Sequence, residues 1–121
     1  MKIISWNVAG IKARANEIER LMQEHQPDIV CLQKTRTDKA PYFDGYRMYI
    51  DCSDRWSGVA TYVRSGLDGE FTESDSHHLI IEFDEFVLVN AYVPYSNPKV
   101  PGYIEHRKAV SYTHLRAHET E

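Results

Sequence analysis

MKIISWNVAGIKARANEIERLMQEHQPDIVCLQKTR, residues 1–36, decides how the rest of the chain is read. Residues 2–8 are an apolar run broken by Ser5 and Asn7. At strand period two those polar side chains share one face, and Ile4 and Trp6 share the other. Asn16 is placed as an N-cap, with Glu19 three residues on in capping-box position. Ile18, Leu21, Met22 and His25 recur at i, i+3, i+4 and i+7, one stripe of an amphipathic helix. Pro27 stops that helix, and residues 28–33 (DIVCLQ) read as a second, buried strand. Strand, crossover helix and strand make a βαβ unit with parallel strands. Ligands of α/β folds gather beyond the carboxyl ends of such strands. Asn7 and the Gln33–Lys34 pair stand there.

Working outward, residues 37–44 (TDKAPYFD) and Gly45 carry loop signals. Residues 46–50 alternate aromatic and polar side chains as a half-buried strand does. Residues 51–57 are turn-like, 58–63 read as a strand, and 64–72, with Gly66 and Gly69, read as another loop. Residues 78–83 and 86–93 are apolar runs separated by Asp84–Glu85, the pattern of a hairpin, although the turn lacks the glycine a two-residue connection prefers. The expected fold is α/β (α+β), a mixed β-sheet with one main covering helix. Residues 97–102 (NPKVPG) break the chain, 103–110 begin a helical stripe, and SYTHLRAHETE does not continue it. There is no internal repeat.

A chain of 121 residues, 42% hydrophobic and 12% aromatic, describes one small globular domain rather than a disordered segment. Its start has no apolar signal region and no run reaches membrane-spanning length, so a cytoplasmic, membrane-free monomer is expected. Cys31 in a buried strand and Cys52 in a polar loop are expected to be free thiols. A formal net charge of −4 rules out binding nucleic acid by bulk charge and leaves only a local basic patch.

Four segments carry a resemblance. SWNVAGIKA (5–13), PDIVCLQKT (27–35), SGVATYVR (57–64) and VNAYVPYSN (89–97) resemble, in order and spacing, elements of the endonuclease/exonuclease/phosphatase superfamily in its exonuclease III and AP-endonuclease branch. The resemblance covers about residues 1–109. It implies one half of a four-layered αββα sandwich and a divalent-metal-dependent phosphodiesterase of DNA repair, using Mg²⁺ (or Mn²⁺) on duplex DNA, abasic sites among its targets.

Residue by residue, the resemblance makes Asn7 the first-strand asparagine that orients metal-site groups and phosphate. Tyr92 matches the tyrosine whose hydroxyl faces the scissile phosphate. Lys34 occupies the position of the metal-binding glutamate. An ammonium cannot ligate Mg²⁺, so metal binding is expected to be weakened unless a neighbouring carboxylate substitutes, or Lys34 itself supplies charge to phosphate. Ala9 and Tyr95 replace an Asn or Asp and an Asn of the branch pattern. Lys12, Arg36, Arg55 and Trp56 fall at loop positions where the branch contacts the DNA backbone. His77 and His78 invite a metal reading, but neighbours along a strand point to opposite faces.

The later D-x-N and closing S-D-H of the superfamily do not follow residue 97. We therefore expect residues 1–109 to be a truncated, inactive and poorly stable N-terminal part of the domain, with one sheet face uncovered. Residues 110–121 resemble a peptide that recurs where adaptor DNA is read as coding, and are expected to be non-native. Two other classes stay open: a noncatalytic nucleic-acid or phosphate-binding module, which would explain Ala9 and Lys34, and a phosphatase or nuclease of another branch acting on phosphoinositides or RNA.

Overall fold

The βαβ unit forms: Ile3–Asn7 is β1, Ala15–His25 is α1 and Ile29–Gln33 is β2, in a computed structural model that describes residues 1–93. β1 and β2 run parallel, with Asn7 in register with Gln33. Five strands follow: β3 (Tyr46–Asp51), β4 (Val59–Arg64), β5 (Gly69–Ser74), β6 (His78–Phe83) and β7 (Val87–Ala91). The motif residues Pro94, Tyr95 and Asn97, the 97–102 break, the 103–110 stripe and the 110–121 tail lie outside the described residues.

The strands form two sheets, the first of them the expected mixed sheet covered by the helix. The first is mixed, in order β1-β2-β4-β3; the second is antiparallel, β5-β6-β7. Periodicity assigns a residue to a face but does not say which strands pair, so this division was not legible. β2 is buried along its whole length because both its faces are covered. Val30 and Leu32, with Ala60 and Tyr62 of β4, pack under Ile18 and Met22 of α1. Ile29, Cys31, Val59 and Val63 face Leu79, Ile81, Phe83 and Leu88 of the second sheet. Among the described residues the layers are thus helix, sheet, sheet. Tyr62 spans the helix-side core, donates its hydroxyl to Pro41 O at 2.7 Å, and burial pushes its phenol well above the ordinary range.

Three local expectations are corrected. The N-cap of α1 is Arg14, without a side-chain capping bond, so Asn16 lies inside the first turn and makes no capping box with Glu19. An earlier turn, with Arg14 N–H donating to Ile11 O and Ile18 N–H to Arg14 O, starts the helix ahead of it. His25 is exposed in the last turn, so the buried stripe is Ile18 and Met22, with Leu21 half-buried. Residues 69–72, read as the end of a loop, belong to β5. Gly69 opens that strand because a Cβ there would sit 2.7 Å from Phe83 Cε1 and 2.9 Å from Ile81 Cγ2: the glycine permits close packing instead of breaking structure. The 78–83/86–93 hairpin is present. Phe83 N–H donates to Phe86 O at 2.8 Å across Asp84–Glu85, and neither turn residue has positive φ.

Candidate functional site

Four connections converge where β1 and β2 end. Val8 N–H donates to Gln33 O at 3.0 Å, Gly10 N–H to Lys34 O at 2.9 Å and Ile11 N–H to Thr35 O at 3.0 Å, zipping the β1–α1 loop to the segment after β2. That segment then pairs with the β3–β4 loop, through Thr35 N–H to Gly58 O at 3.2 Å and Arg36 N–H to Ser57 O at 2.9 Å. Gly58 N–H in turn donates to Ser76 O at 3.0 Å in the β5–β6 turn, and Tyr92 N–H to His77 O at 2.7 Å. Gly58 is obligatory: its φ is +112° and a Cβ would lie 2.1 Å from Thr35 Oγ1.

Beneath this rim runs a buried polar chain between the sheets. Gln33 Nε2 donates to Ser5 Oγ at 3.0 Å and to Asn90 Oδ1 at 2.9 Å. Asn90, fully buried, donates through Nδ2 to Ala60 O at 2.9 Å and Thr61 Oγ1 at 3.1 Å. One chain therefore links β1, β2, β4 and β7. Satisfied buried amides of this kind fix a single register, since an unpaired one would cost roughly 1–3 kcal/mol. Gln33 is at the strand end where the sequence places it, whereas the role of Asn90 is not expected from the sequence reading. Their signal was a polar residue inside the apolar runs DIVCLQ and VLVNAYV.

Each candidate side chain can now be placed. Asn7 is exposed at the end of β1 on the inter-sheet face, its Oδ1 accepting from Ala9 N–H at 3.3 Å. Lys34, half-exposed, follows Gln33 directly, and its ammonium has no hydrogen-bond or ion-pair partner among the described residues. Tyr92 leaves β7 two residues after Asn90, its half-buried ring packed against the inter-sheet core. His77 lies flat on it, with centroids 5.8 Å apart and planes 7° apart. The strand ends thus bring Asn7, Lys34 and the Asn90–Tyr92 segment to one mouth of the sandwich.

The basic positions form a rim around it. Arg36 is exposed, and its Cδ lies beside Gly10 in the loop that also carries exposed Lys12. Arg55 sets its guanidinium 4.8 Å over the ring of Trp56, which is 64% exposed. Asp54 Oδ1 holds that loop, accepting from Trp56 N–H at 2.7 Å and Ser57 Oγ at 3.1 Å. Ala9, Lys34 and Arg36 all have positive φ, at 48°, 57° and 64°. Non-glycine residues held there cost of order 1 kcal/mol each, and such strain gathers at sites of function. Exposed cations, an aromatic face and unengaged polar groups suit a phosphate-bearing chain. A cleft of about 400 Å³ lies between α1 and the loop before β3, lined by Met22, Phe43 and Arg64 among others.

The donors at the mouth do not by themselves fit a divalent cation. Asn7 offers one amide oxygen and the neighbouring position presents an ammonium; among the described residues no three His, Cys, Asp or Glu side chains cluster to hold a metal.

The model of the endonuclease/exonuclease/phosphatase family matches residues 4–119. Recombination repair protein 1 of Drosophila melanogaster is 34% identical over 115 residues, covering 83% of this chain and 17% of its own length. A DNA-(apurinic or apyrimidinic site) endonuclease of Dictyostelium discoideum is 30% identical over 111 residues, covering 78% of this chain and 30% of its own. Among solved structures, an AP endonuclease from Archaeoglobus fulgidus superposes with a TM-score of 0.74 at 21% identity, over 95% of this chain and 51% of that one. The chain spans less than a third of these two curated relatives and about half of the solved structure.

Proposed function

The chain belongs to the endonuclease/exonuclease/phosphatase family, with AP-endonuclease and exonuclease III homologues, and from that premise we propose that it is a DNA-directed phosphodiesterase of the repair type. In this reading the sandwich mouth receives a DNA phosphate. Asn7 and the Tyr92 hydroxyl donate to phosphate oxygens, Lys34 adds positive charge, and Lys12, Arg36, Arg55 and Trp56 hold the flanking strand as it crosses the rim. Abasic duplex is the preferred target and the cytoplasm the place of action, with the protein as a monomer. The observation that carries the reading is the buried Gln33–Asn90 bond, which brings the strand-end groups of both sheets to one opening.

The family is generally dependent on a divalent metal, and Mg²⁺ or Mn²⁺ is the proposed ion. Lys34 opposes it, since its ammonium stands in the carboxylate's place and repels a cation. The same lysine favours a second reading, a module that binds nucleic-acid phosphate without turnover.

One comparison tests both. The protein and its Lys34→Glu variant are each given an abasic duplex and a phosphoinositide across a Mg²⁺ titration. We expect binding of the duplex in preference to the lipid phosphate, and roughly tenfold tighter Mg²⁺ binding in Lys34→Glu. Incision by the unaltered chain selects the phosphodiesterase; binding without incision selects the module. Faster phosphate release from the lipid, or an unchanged Mg²⁺ titration, contradicts the assignment.

A further inference from the structure

The β5–β6 turn, residues 75–77, does more than connect strands. Asp75 Oδ1 accepts from the amides of His77 at 2.7 Å and His78 at 2.9 Å, and Asp75 N–H donates to His78 O at 2.8 Å, which locks the turn. Ser76 is buried and its Oγ meets Ser53 Oγ at 2.6 Å, so the turn is also fastened to the loop carrying Arg55 and Trp56. His77 is then held from both sides. Its carbonyl accepts the Tyr92 amide, and its ring lies parallel to the Tyr92 ring. A residue that merely filled space would not need its backbone and its ring to grip the same partner.

We infer that His77 is a positioning residue for Tyr92, fixing the phenol at the mouth of the sandwich and, when protonated, setting a positive charge against the face of its ring as a phosphodiester approaches. The inference rests on the reading of Tyr92 as a phosphate-facing residue. An imidazole stacked on a phenol restrains both torsions of the tyrosine, so less freedom is lost when its hydroxyl engages a ligand. An imidazolium over a ring is attracted by the ring's negative face, and it withdraws density from the phenol. Among the described residues, the charged and titratable neighbours of this turn are Asp75, His78, Tyr92 and, in the loop fastened to it, Asp51, Asp54 and Arg55. Asp75 and His78 lie in it or just beyond, their side chains 3.1 Å apart. Tyr92 packs from β7. In the fastened loop, Asp54 is engaged by Trp56 and Ser57, and Asp51 of β3 accepts from the Ser74 hydroxyl. Asp75 is the acidic side chain within the turn itself. His78 shares its carboxylate by direct contact, whereas His77 alone is stacked on Tyr92.

Tyrosine-labelled protein followed by NMR separates this from simple packing. The probe is dimethyl phosphate, a diester whose charge does not change in the range used. In the unaltered chain the Tyr92 ring signal is expected to move as pH is lowered and the imidazole gains its charge. The diester is expected to bind about two- to fivefold tighter at the acid end. His77→Phe keeps a stacked ring without a charge; there the Tyr92 signal should stay in place and the pH dependence of binding should vanish. His77→Ala should shift the ring signal toward that of a free tyrosine. A Tyr92 signal indifferent to both substitutions overturns the inference, as does a pH dependence that survives in His77→Phe and so belongs to His78. If Tyr92 follows His77 but the diester leaves it unmoved, the positioning role stands and the phosphate reading of Tyr92 falls.

Discussion

Lys34 is the residue on which the chemistry turns. Its backbone is left-handed, with φ of 57°, a conformation that costs a side-chain-bearing residue about 1–2 kcal/mol. Its ammonium is spent on no other described residue. Glycine would relieve the strain and remove the charge together. We therefore expect Lys34→Gly to raise the free energy of unfolding by about 1 kcal/mol while weakening duplex DNA binding. Chemical denaturation paired with a binding titration checks this, and a variant that is both less stable and an equally good binder refutes it. At this scale the sequence was informative about where and silent about how. The strand-end positions of Asn7 and Lys34 followed from period two and a stop at Pro27. Nothing in the residue types announced the left-handed backbone at Ala9, Lys34 and Arg36, because only glycine or asparagine advertises that conformation.

Among elements, what aligns the site is the polar chain between the sheets. Gln33 Nε2 is the donor to the buried Asn90 Oδ1, so removing Gln33 leaves that acceptor without it, and removing Asn90 takes one of the acceptors of the Gln33 amide. Gln33→Leu and Asn90→Leu should each destabilise by about 2–3 kcal/mol. The double variant should cost at least about 1 kcal/mol less than their sum, because it leaves neither partner orphaned. Strict additivity in a denaturant cycle contradicts the pairing.

The β5–β6 turn makes a separate prediction. Burial alone would raise the Asp75 carboxyl, but hydrogen bonds from the His77 and His78 amides and the charges of both imidazoles outweigh it and hold it below the usual range. A depressed folded-state value means its contribution is present above the unfolded carboxyl's value, near pH 4, and is lost as pH falls through the folded one. The stability gap between the unaltered chain and Asp75→Ala, about 1 kcal/mol for so exposed a group, should hold near neutrality and close in acid. A gap that widens as pH falls contradicts this. The βαβ unit and the hairpin were legible because apolar periods set them. β5 was not, because Gly69 serves close packing there, and a glycine in sequence signals a turn as readily.

For the whole molecule the central claim is electrostatic and local. A chain with a formal net charge of −4 is not drawn to DNA by its overall field. In the proposed reading, binding comes from Lys12, Lys34, Arg36 and Arg55, on segments that follow the strand ends, together with Asn7 and Tyr92. The cations and Asn7 sit on the first sheet and its loops and Tyr92 follows the second, and the sequence showed these members without showing that the two sheets meet face to face. The most direct test is an anisotropy titration of a labelled abasic duplex against salt, for the unaltered chain and for Lys34→Gln and Tyr92→Phe. The account predicts salt-dependent binding, a salt slope lower by about one in Lys34→Gln, and affinity about tenfold weaker in Tyr92→Phe with the slope unchanged. Binding that ignores both substitutions, or no binding even at low salt, would contradict it.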